Sequence, residues 1–135
     1  MAREPRCDAA LALGRLRRAE AFLEAGDLVS GLVHGDRAEE TELAAALVTL
    51  WVHAGIAAAD VICCARLGRH HAGTDHHGAL QMLRKADGDQ VAALRRLLDL
   101  KAPAAYGHRL VGRDDRLRAE RAARSLVQRA SEVIG

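Results

Sequence analysis

Four histidines close together in the middle of the chain are the side chains best suited to metal binding or proton transfer. They are His70, His71, His76 and His77, joined by Ala-Gly-Thr-Asp, and Asp75 adds a carboxylate. Imidazole and carboxylate groups can bind transition metals. Adjacent histidines on a helix point in different directions, however, so few of them can converge on one ion. The pattern favours a polar interhelical turn, with histidines capping helix ends, over a metal site, and predicts no metal and no other cofactor.

His53 and Asp60 form a second candidate pair. They are seven residues apart, a spacing that puts both side chains near one face of a helix. A histidine beside a carboxylate could act as a general acid–base pair. The alternative, which we favour, is that each side chain hydrogen-bonds to a neighbouring helix, because buried polar groups are normally paired.

Arginines near the end of the chain are candidate contacts for nucleic acid. The segment from Lys101 to Gly135 carries eight basic and four acidic residues. Arg118, Arg121 and Arg129 share one sector of the last helical segment, and such a face could contact phosphates. An ordinary solvated face is the alternative, because the chain has few aromatic residues on which bases could stack. The net charge of +2 does not by itself indicate a nucleic-acid partner.

The three cysteines have no spacing typical of a metal site. Cys63 and Cys64 are adjacent and lie in the most apolar stretch of the chain. They are therefore predicted to be reduced thiols packed in the core of a cytoplasmic protein. The first residues agree with this location, because no apolar run typical of a signal peptide follows Arg3 and Arg6.

The apolar stretch from Leu43 to Ala65 must position most of these groups. As a helix it would extend about 35 Å, long enough to cross a bilayer. It is rich in Ala and Gly, however, and contains Asp60, and both features are unfavourable in lipid. A helix that is apolar all round is also typical of the central helix of a soluble bundle. We favour the soluble bundle and expect no membrane contact. Small residues such as Gly55 and Ala59 predict a closely packed neighbour.

The whole chain is predicted to be a single all-α domain, residues 1–135, folded as an up-and-down bundle of four to five helices. Leu, Val and Ala dominate its apolar residues, which favours helix over strand. The expected segments are a helix from Asp8 to Ala25 ended by Gly26-Asp27, a connection over residues 28–40, a central helix starting at Thr41-Glu42 and closed by Gly68 or Gly73, a short helix capped by Thr74 or Asp75, a fourth helix from Val91 to Leu100, a turn region from Lys101 to Gly112 containing Pro103, and a last helix from Asp114 to Ile134.

Several of these segments follow one another in a characteristic order. The central helix of small residues ends in a Gly-containing turn, HHGAL follows at His76–Leu80, and AAYG at Ala104–Gly107 precedes a final helix with alanines three and four residues apart. This order resembles the HEPN superfamily of small prokaryotic helical bundles. It is most similar to the branch with a histidine-bearing turn before the third helix and an Ala-Asp-Tyr motif before the last.

The resemblance implies candidate site residues and a function. Many HEPN proteins are ribonucleases that carry Arg, four to six residues, then His near the start of the last helix. The matching positions here are Lys101 and His108, with Tyr106 between them. Lysine lacks the planar fork that holds a phosphate, and Ala105 replaces the acidic residue of the motif. The resemblance therefore implies a non-catalytic binding module. Its partner would be a minimal nucleotidyltransferase, as in toxin–antitoxin systems, or an RNA or nucleotide. The alternative is a metal-independent endoribonuclease or toxin with a variant active site of Lys101, Tyr106 and His108.

A homodimer is also expected. A central helix that is apolar on all faces needs more cover than four short helices supply, and two-fold dimers are the commonest homo-oligomers. The resemblance implies that the polar motif lies at the subunit boundary, with Arg66 and Arg69 at its rim. The candidate nucleic-acid or nucleotide contacts are Arg66, Arg69, Arg118 and Arg121.

Overall fold

Five α-helices and one turn of 3-10 helix follow one another in the computed structural model, which describes residues 4–33, 42–108 and 111–135. The helices are α1 (Ala9–Ser30), α2 (Glu42–Leu67), α3 (His76–Ala86), α4 (Val91–Tyr106) and α5 (Arg113–Ile134), and the 3-10 turn is Gly88–Gln90. Within the described ranges, β pairing is limited to one antiparallel bridge between Arg6 and Arg69. The prediction of an all-α helical bundle is confirmed.

Local signals set most of the helix ends. Asp8 caps α1 by accepting a hydrogen bond from the backbone N–H of Leu11 at 2.8 Å. Asp75 caps α3 by accepting one from the backbone N–H of Gly78 at 2.8 Å. Gly68 follows α2 with a φ of +71°, a left-handed conformation that glycine adopts without steric strain. These three positions agree with the sequence prediction. The start of α2 agrees at Glu42, and Thr41 lies outside the described residues.

Two helices continue past residues that were expected to end them. α1 runs through Gly26 to Ser30, because Gly26 makes room for Trp51 rather than a turn: an added Cβ would lie within 2.7 Å of three Trp51 ring carbons. The predicted connection over 28–40 is therefore helical in its first three residues, and positions 34–40 lie outside the described residues. α4 runs through Pro103 to Tyr106. Proline removes one backbone hydrogen bond, and here it does so in the last turn on an exposed position.

α2 is the core of the bundle and contacts each of the other four helices. Fifteen of its 26 residues are buried, and the largest fully buried side chains include Trp51, Leu47 and Ile62. Burying a side chain of this size stabilises the fold by about 1.5–3 kcal/mol. The predicted close neighbour is found at Gly55, where an added Cβ would clash with Leu97 of α4 and lie 3.2 Å from Leu126 of α5.

Contacts between helices fix their directions. α1 runs antiparallel to α2 and to α5, and the start of α4 lies beside the second half of α5. One end of the bundle therefore holds the start of α1 and the end of α2, whereas the opposite end holds the end of α1 and the start of α5. The direction of α1 against α2 follows from the contacts Arg15–Asp60 and Gly26–Trp51. Its direction against α5 follows from the Asp27–Arg124 ion pair and from a groove lined by Glu20, Leu23, Val127 and Ser131. The position of the start of α4 beside α5 follows from the contacts Asp87–Arg129 and Gln90–Ser125.

Among the described residues, α2 is also the one helix long and apolar enough to cross a membrane, judged by length and composition. Seventy-two per cent of the most apolar 18-residue stretch of α2 is buried inside the protein. Such burial is typical of the core helix of a soluble bundle and is compatible with the sequence interpretation.

A disulfide bond joins Cys7 to Cys64, so the prediction of a reduced thiol is wrong for Cys64, whereas Cys63 is a free, buried thiol as predicted. Residues 4–8, which we call the N-terminal clasp, fold back along the turn that follows α2. The backbone N–H of Cys7 donates to the Gly68 carbonyl at 2.9 Å, and the His70 N–H donates to the Pro5 carbonyl at 3.0 Å. Because disulfides persist mainly in oxidising compartments, the cysteines no longer support a cytoplasmic location.

Candidate functional site

A cavity of about 110 Å³ lies where the turn after α2 and the first residues of α3 meet α2 and α4. The turn is held in place by the N-terminal clasp on its far side and by the Asp75 cap of α3. The lining combines apolar side chains with a few polar ones, a combination typical of small-ligand sites. Its lining residues are Ile56, Ala59, Asp60, Cys63, His71, Gly73, Thr74, Asp75, His76, Ala79, Leu94, Leu98 and Lys101.

Asp60 is the most perturbed acidic group of the cavity. Its Oδ2 accepts a hydrogen bond from Nη1 of Arg15 on α1 at 3.2 Å, and its side chain is 15% exposed. Burial raises the pKa of Asp60 to about 6, and this effect outweighs the opposing charges of Arg15, His70 and His71. A carboxyl group with a pKa near neutrality in a cavity is typical of functional sites, although ion pairs can perturb pKa values in the same direction.

Cys63 lies one helical turn beyond Asp60 and is buried, with a free thiol. Burial, followed by the negative charge of Asp60, raises the pKa of Cys63 to about 12. The side chain is therefore a protonated thiol at neutral pH. Because the thiolate is the reactive form of cysteine, Cys63 lines the cavity as a small apolar group and not as a nucleophile.

The histidines of the turn have different surroundings from one another. His70 is buried, with its Nδ1 3.2 Å from the carbonyl oxygen of His71. The His71 ring is also buried, and its Nε2 lies 3.1 Å from Asp75 Oδ1, although the two atoms are not aligned for a hydrogen bond. The N–H of Gly78, together with the nearby His71 ring, lowers the pKa of Asp75. The carboxylate of Asp75 caps α3, as the sequence predicted, and the suggestion that histidines of the turn cap a helix end is not met at α3. No group of three His, Cys, Asp or Glu side chains in the described ranges is arranged to hold a metal ion.

The candidate pair of His53 and Asp60 is not formed. His53 is exposed and stacks on Phe22 of α1, with ring centroids 5.4 Å apart. Asp60 is held instead by Arg15. The alternative of a partner on a neighbouring helix is confirmed for Asp60, and the acid–base interpretation of the pair is wrong.

Of the three catalytic candidates, one lines this cavity and two do not. Lys101 lines the cavity. Tyr106, the last residue of α4, is 87% exposed, and His108 is exposed beyond it. Their position at the end of α4 follows from the extension of this helix through Pro103, which the sequence interpretation placed in a turn.

The four candidate arginines are divided between the two ends of the bundle. Arg66 and Arg69 lie where α2 ends, beside the start of α1, and Arg69 pairs with Glu4 of the clasp at 3.4 Å. Arg118 and Arg121 lie in the first half of α5, at the opposite end. α1, which runs between these ends, is 22 residues long, and such a helix extends about 33 Å. The two pairs therefore do not form one binding patch.

At the far end, Arg118 and Arg121 are exposed and make no ion pair with a residue in the described ranges. Their neighbours on α5 differ: Arg124 is held by Asp27 and Glu120, and Arg129 is held by two other carboxylates. We call Tyr106, His108, Arg118 and Arg121 the end surface: the first two lie at and just after the end of α4, and the two arginines lie in the first half of α5, the helix that follows.

Sequence reasoning missed two parts of these sites. One is the cavity itself, although Asp60 and Cys63, three residues apart in an apolar helix, were a usable signal. The other is the exposure of Tyr106, which no local pattern revealed.

Neither a protein-family model nor a curated protein matches this chain. The sites must therefore be interpreted from their own chemistry.

Proposed function

We propose that the protein is a non-catalytic, HEPN-like binding module that binds single-stranded RNA through its end surface. The observation that carries the proposal is an aromatic ring, Tyr106, that is 87% exposed at the end of α4, the helix that leads in the chain to α5, whose first half carries two exposed arginines without carboxylate partners in the described ranges. An exposed ring offers a face on which a base can stack, and nearby guanidinium groups attract the phosphates. The sequence interpretation counted few aromatic residues against RNA binding, but one well-placed ring is enough for a stacking contact.

The helical positions of Lys101 and Tyr106 support the non-catalytic form of the proposal, because five residues of an α-helix turn two side chains about 140° apart. General acid–base cleavage of RNA needs its groups within hydrogen-bond reach of the same phosphodiester. Lys101 lines the cavity, whereas Tyr106 and His108 do not. The ribonuclease alternative is tested separately, by incubation with total RNA.

Fluorescence anisotropy with a labelled oligouridine at low salt tests the proposal. We expect Tyr106→Ala to weaken binding about 5- to 150-fold, because stacking contributes about 1–3 kcal/mol per base. Replacing both Arg118 and Arg121 by Glu should weaken binding and reduce its salt dependence. A matched control is the double charge reversal of Arg95 and Arg96, two exposed residues of α4, which should bind as the unchanged protein does.

Equal losses in the control and in the end-surface variants would refute the proposed site, and so would the absence of binding at low salt. The intact and His108→Ala proteins are also incubated with total RNA. Cleavage by the intact protein that is lost in His108→Ala would favour the ribonuclease alternative.

The homodimer and the nucleotidyltransferase partner are separate proposals. A dimer would place two end surfaces side by side and lengthen the RNA contact. The dimer was expected partly because α2 would need cover from a second subunit, but a single chain already buries fifteen residues of α2, which weakens that argument. Light scattering should give twice the 14.5 kDa of one chain if the dimer forms. Co-purification with the product of a neighbouring nucleotidyltransferase gene tests the protein partner. The cytoplasmic location predicted from the sequence is likewise a proposal, and it would expose the Cys7–Cys64 disulfide to reduction.

A further inference from the structure

The cavity beside the histidine turn contains two opposite charges that the protein does not pair with each other. Asp60 uses Oδ2 for Arg15, and its Oδ1 accepts no hydrogen bond from the described residues. Lys101 reaches the same cavity and makes no ion pair with a residue in the described ranges. One carboxylate oxygen and one ammonium group are thus available to a ligand.

Two other charged groups at or next to the cavity already have partners within the protein. Asp75 accepts the N–H of Gly78 with Oδ2, and its Oδ1 lies 3.1 Å from His71 Nε2. Arg15 is engaged by Asp60. A ligand therefore meets a negative group at Asp60 and a positive group at Lys101.

Much of the remaining cavity wall is apolar. Ile56 and Ala59 of α2, Ala79 of α3, and Leu94 and Leu98 of α4 line it. A volume of about 110 Å³ is somewhat smaller than the roughly 150 Å³ of an engineered cavity that accepts benzene. The cavity can therefore accommodate a short aliphatic group but not a large aromatic side chain.

We propose that this cavity binds a small aliphatic amino acid in its zwitterionic form. The ammonium group of the ligand lies at Asp60, its carboxylate lies at Lys101, and its side chain packs against Ile56, Leu94 and Leu98. An amine without a carboxylate would leave Lys101 without a counter-charge, and a carboxylate without an amine would leave Asp60 without one. Only a ligand with both groups compensates both side chains. None of the end-surface residues lines this cavity, so the amino-acid site and the RNA-binding surface are tested independently of each other.

Isothermal titration calorimetry on the full chain at neutral pH tests the proposal with three probes of nearly equal shape. L-valine carries both charges, isobutylamine lacks the carboxylate, and isovalerate lacks the amine. We expect L-valine to bind at least tenfold more tightly than either of the others, and L-tryptophan not to bind. Absence of heat with L-valine would overturn the proposal, as would equal binding of isobutylamine or isovalerate.

Two variants locate the ligand. Asp60→Asn and Lys101→Gln should each weaken L-valine binding at least tenfold, whereas Lys85→Gln, at an exposed position of α3, should leave it unchanged. Circular dichroism checks that each variant is folded. If Asp60→Asn does not fold, Lys101→Gln alone decides the question, because its side chain is partly exposed and holds no ion pair in the described ranges. Undiminished binding by folded Lys101→Gln would overturn the assignment.

Discussion

Replacing Cys7 by Ala removes the covalent link between the N-terminal clasp and α2, and the cost follows from the length of chain that the bond closes. The disulfide joins residues 57 positions apart. The chain-entropy model gives about 4 kcal/mol of stabilisation at 25 °C for a loop of this length, and typical measured values are about 2–4 kcal/mol. A domain of this size has a free energy of unfolding of about 5–15 kcal/mol. The variant should therefore remain folded but lose a large part of its stability.

Urea unfolding followed by far-UV circular dichroism measures this loss. With a slope of about 2 kcal/mol per molar urea, the middle of the usual range, the midpoint for Cys7→Ala should fall by about 1–2 M. Cys63→Ala is the matched control, because it removes a cysteine beside the bond and leaves the bond intact. A reducing agent should lower the midpoints of the unchanged protein and of Cys63→Ala, but not that of Cys7→Ala.

Thiol labelling checks the same reasoning by a different route. Cys63 is buried and its pKa is raised to about 12, so it should not react with iodoacetamide in the native protein at neutral pH. After denaturation without a reducing agent, one thiol should react. Three reactive thiols under those conditions, together with an unchanged urea midpoint for Cys7→Ala, would refute the disulfide and the stability derived from it.

Three further changes test the core and the cavity. Ala58→Glu should unfold the protein, because Ala58 is fully buried and the new carboxylate would be unpaired, whereas Ala46→Glu, at an exposed position of the same helix, should stay helical by circular dichroism. Gly55→Val should lower the free energy of unfolding by about 1–3 kcal/mol through overpacking. Gly14 has open space around it, so Gly14→Ala should raise the free energy of unfolding by up to about 1 kcal/mol. Urea unfolding measures both changes. Burial raises the pKa of Asp60 from 3.8 to about 6. The folded protein therefore holds this proton more tightly, and the resulting stability is complete below about pH 4 and lost as the pH rises through 6. The loss is about 3 kcal/mol relative to Asp60→Asn, and a stability difference that does not change with pH would contradict it.

The helices and several of their ends were predictable because local interactions determine them. An aspartate at Asp8 or Asp75 caps a helix by bonding to an N–H three residues ahead, and a glycine such as Gly68 ends one through its own backbone freedom. The burial of α2 follows from its composition alone, since no polar face was present to leave in water. Fold class and the identity of the core helix are therefore properties of the sequence.

Residues whose important contacts lie far away in the chain were misinterpreted, because sequence patterns report local interactions. Gly26 has the local appearance of a helix terminator, but its role is to accommodate Trp51 on another helix. Cys7 and Cys64 are far apart in the chain and meet because the clasp folds back along the turn after α2. Local patterns contain no information about such contacts.

The candidate sites depend on tertiary structure to the greatest extent. The sequence supplied Asp60, Lys101 and Tyr106 as chemically capable residues, and it could not say which of them share a surface. The extension of α4 by one and a half turns leaves Lys101 in the cavity and Tyr106 in solvent. The antiparallel course of α1 and α5 puts the candidate arginines at opposite ends of the bundle. Residue types determine what chemistry is available, whereas helix directions and lengths decide which groups meet, because those depend on packing between segments that are distant in the chain.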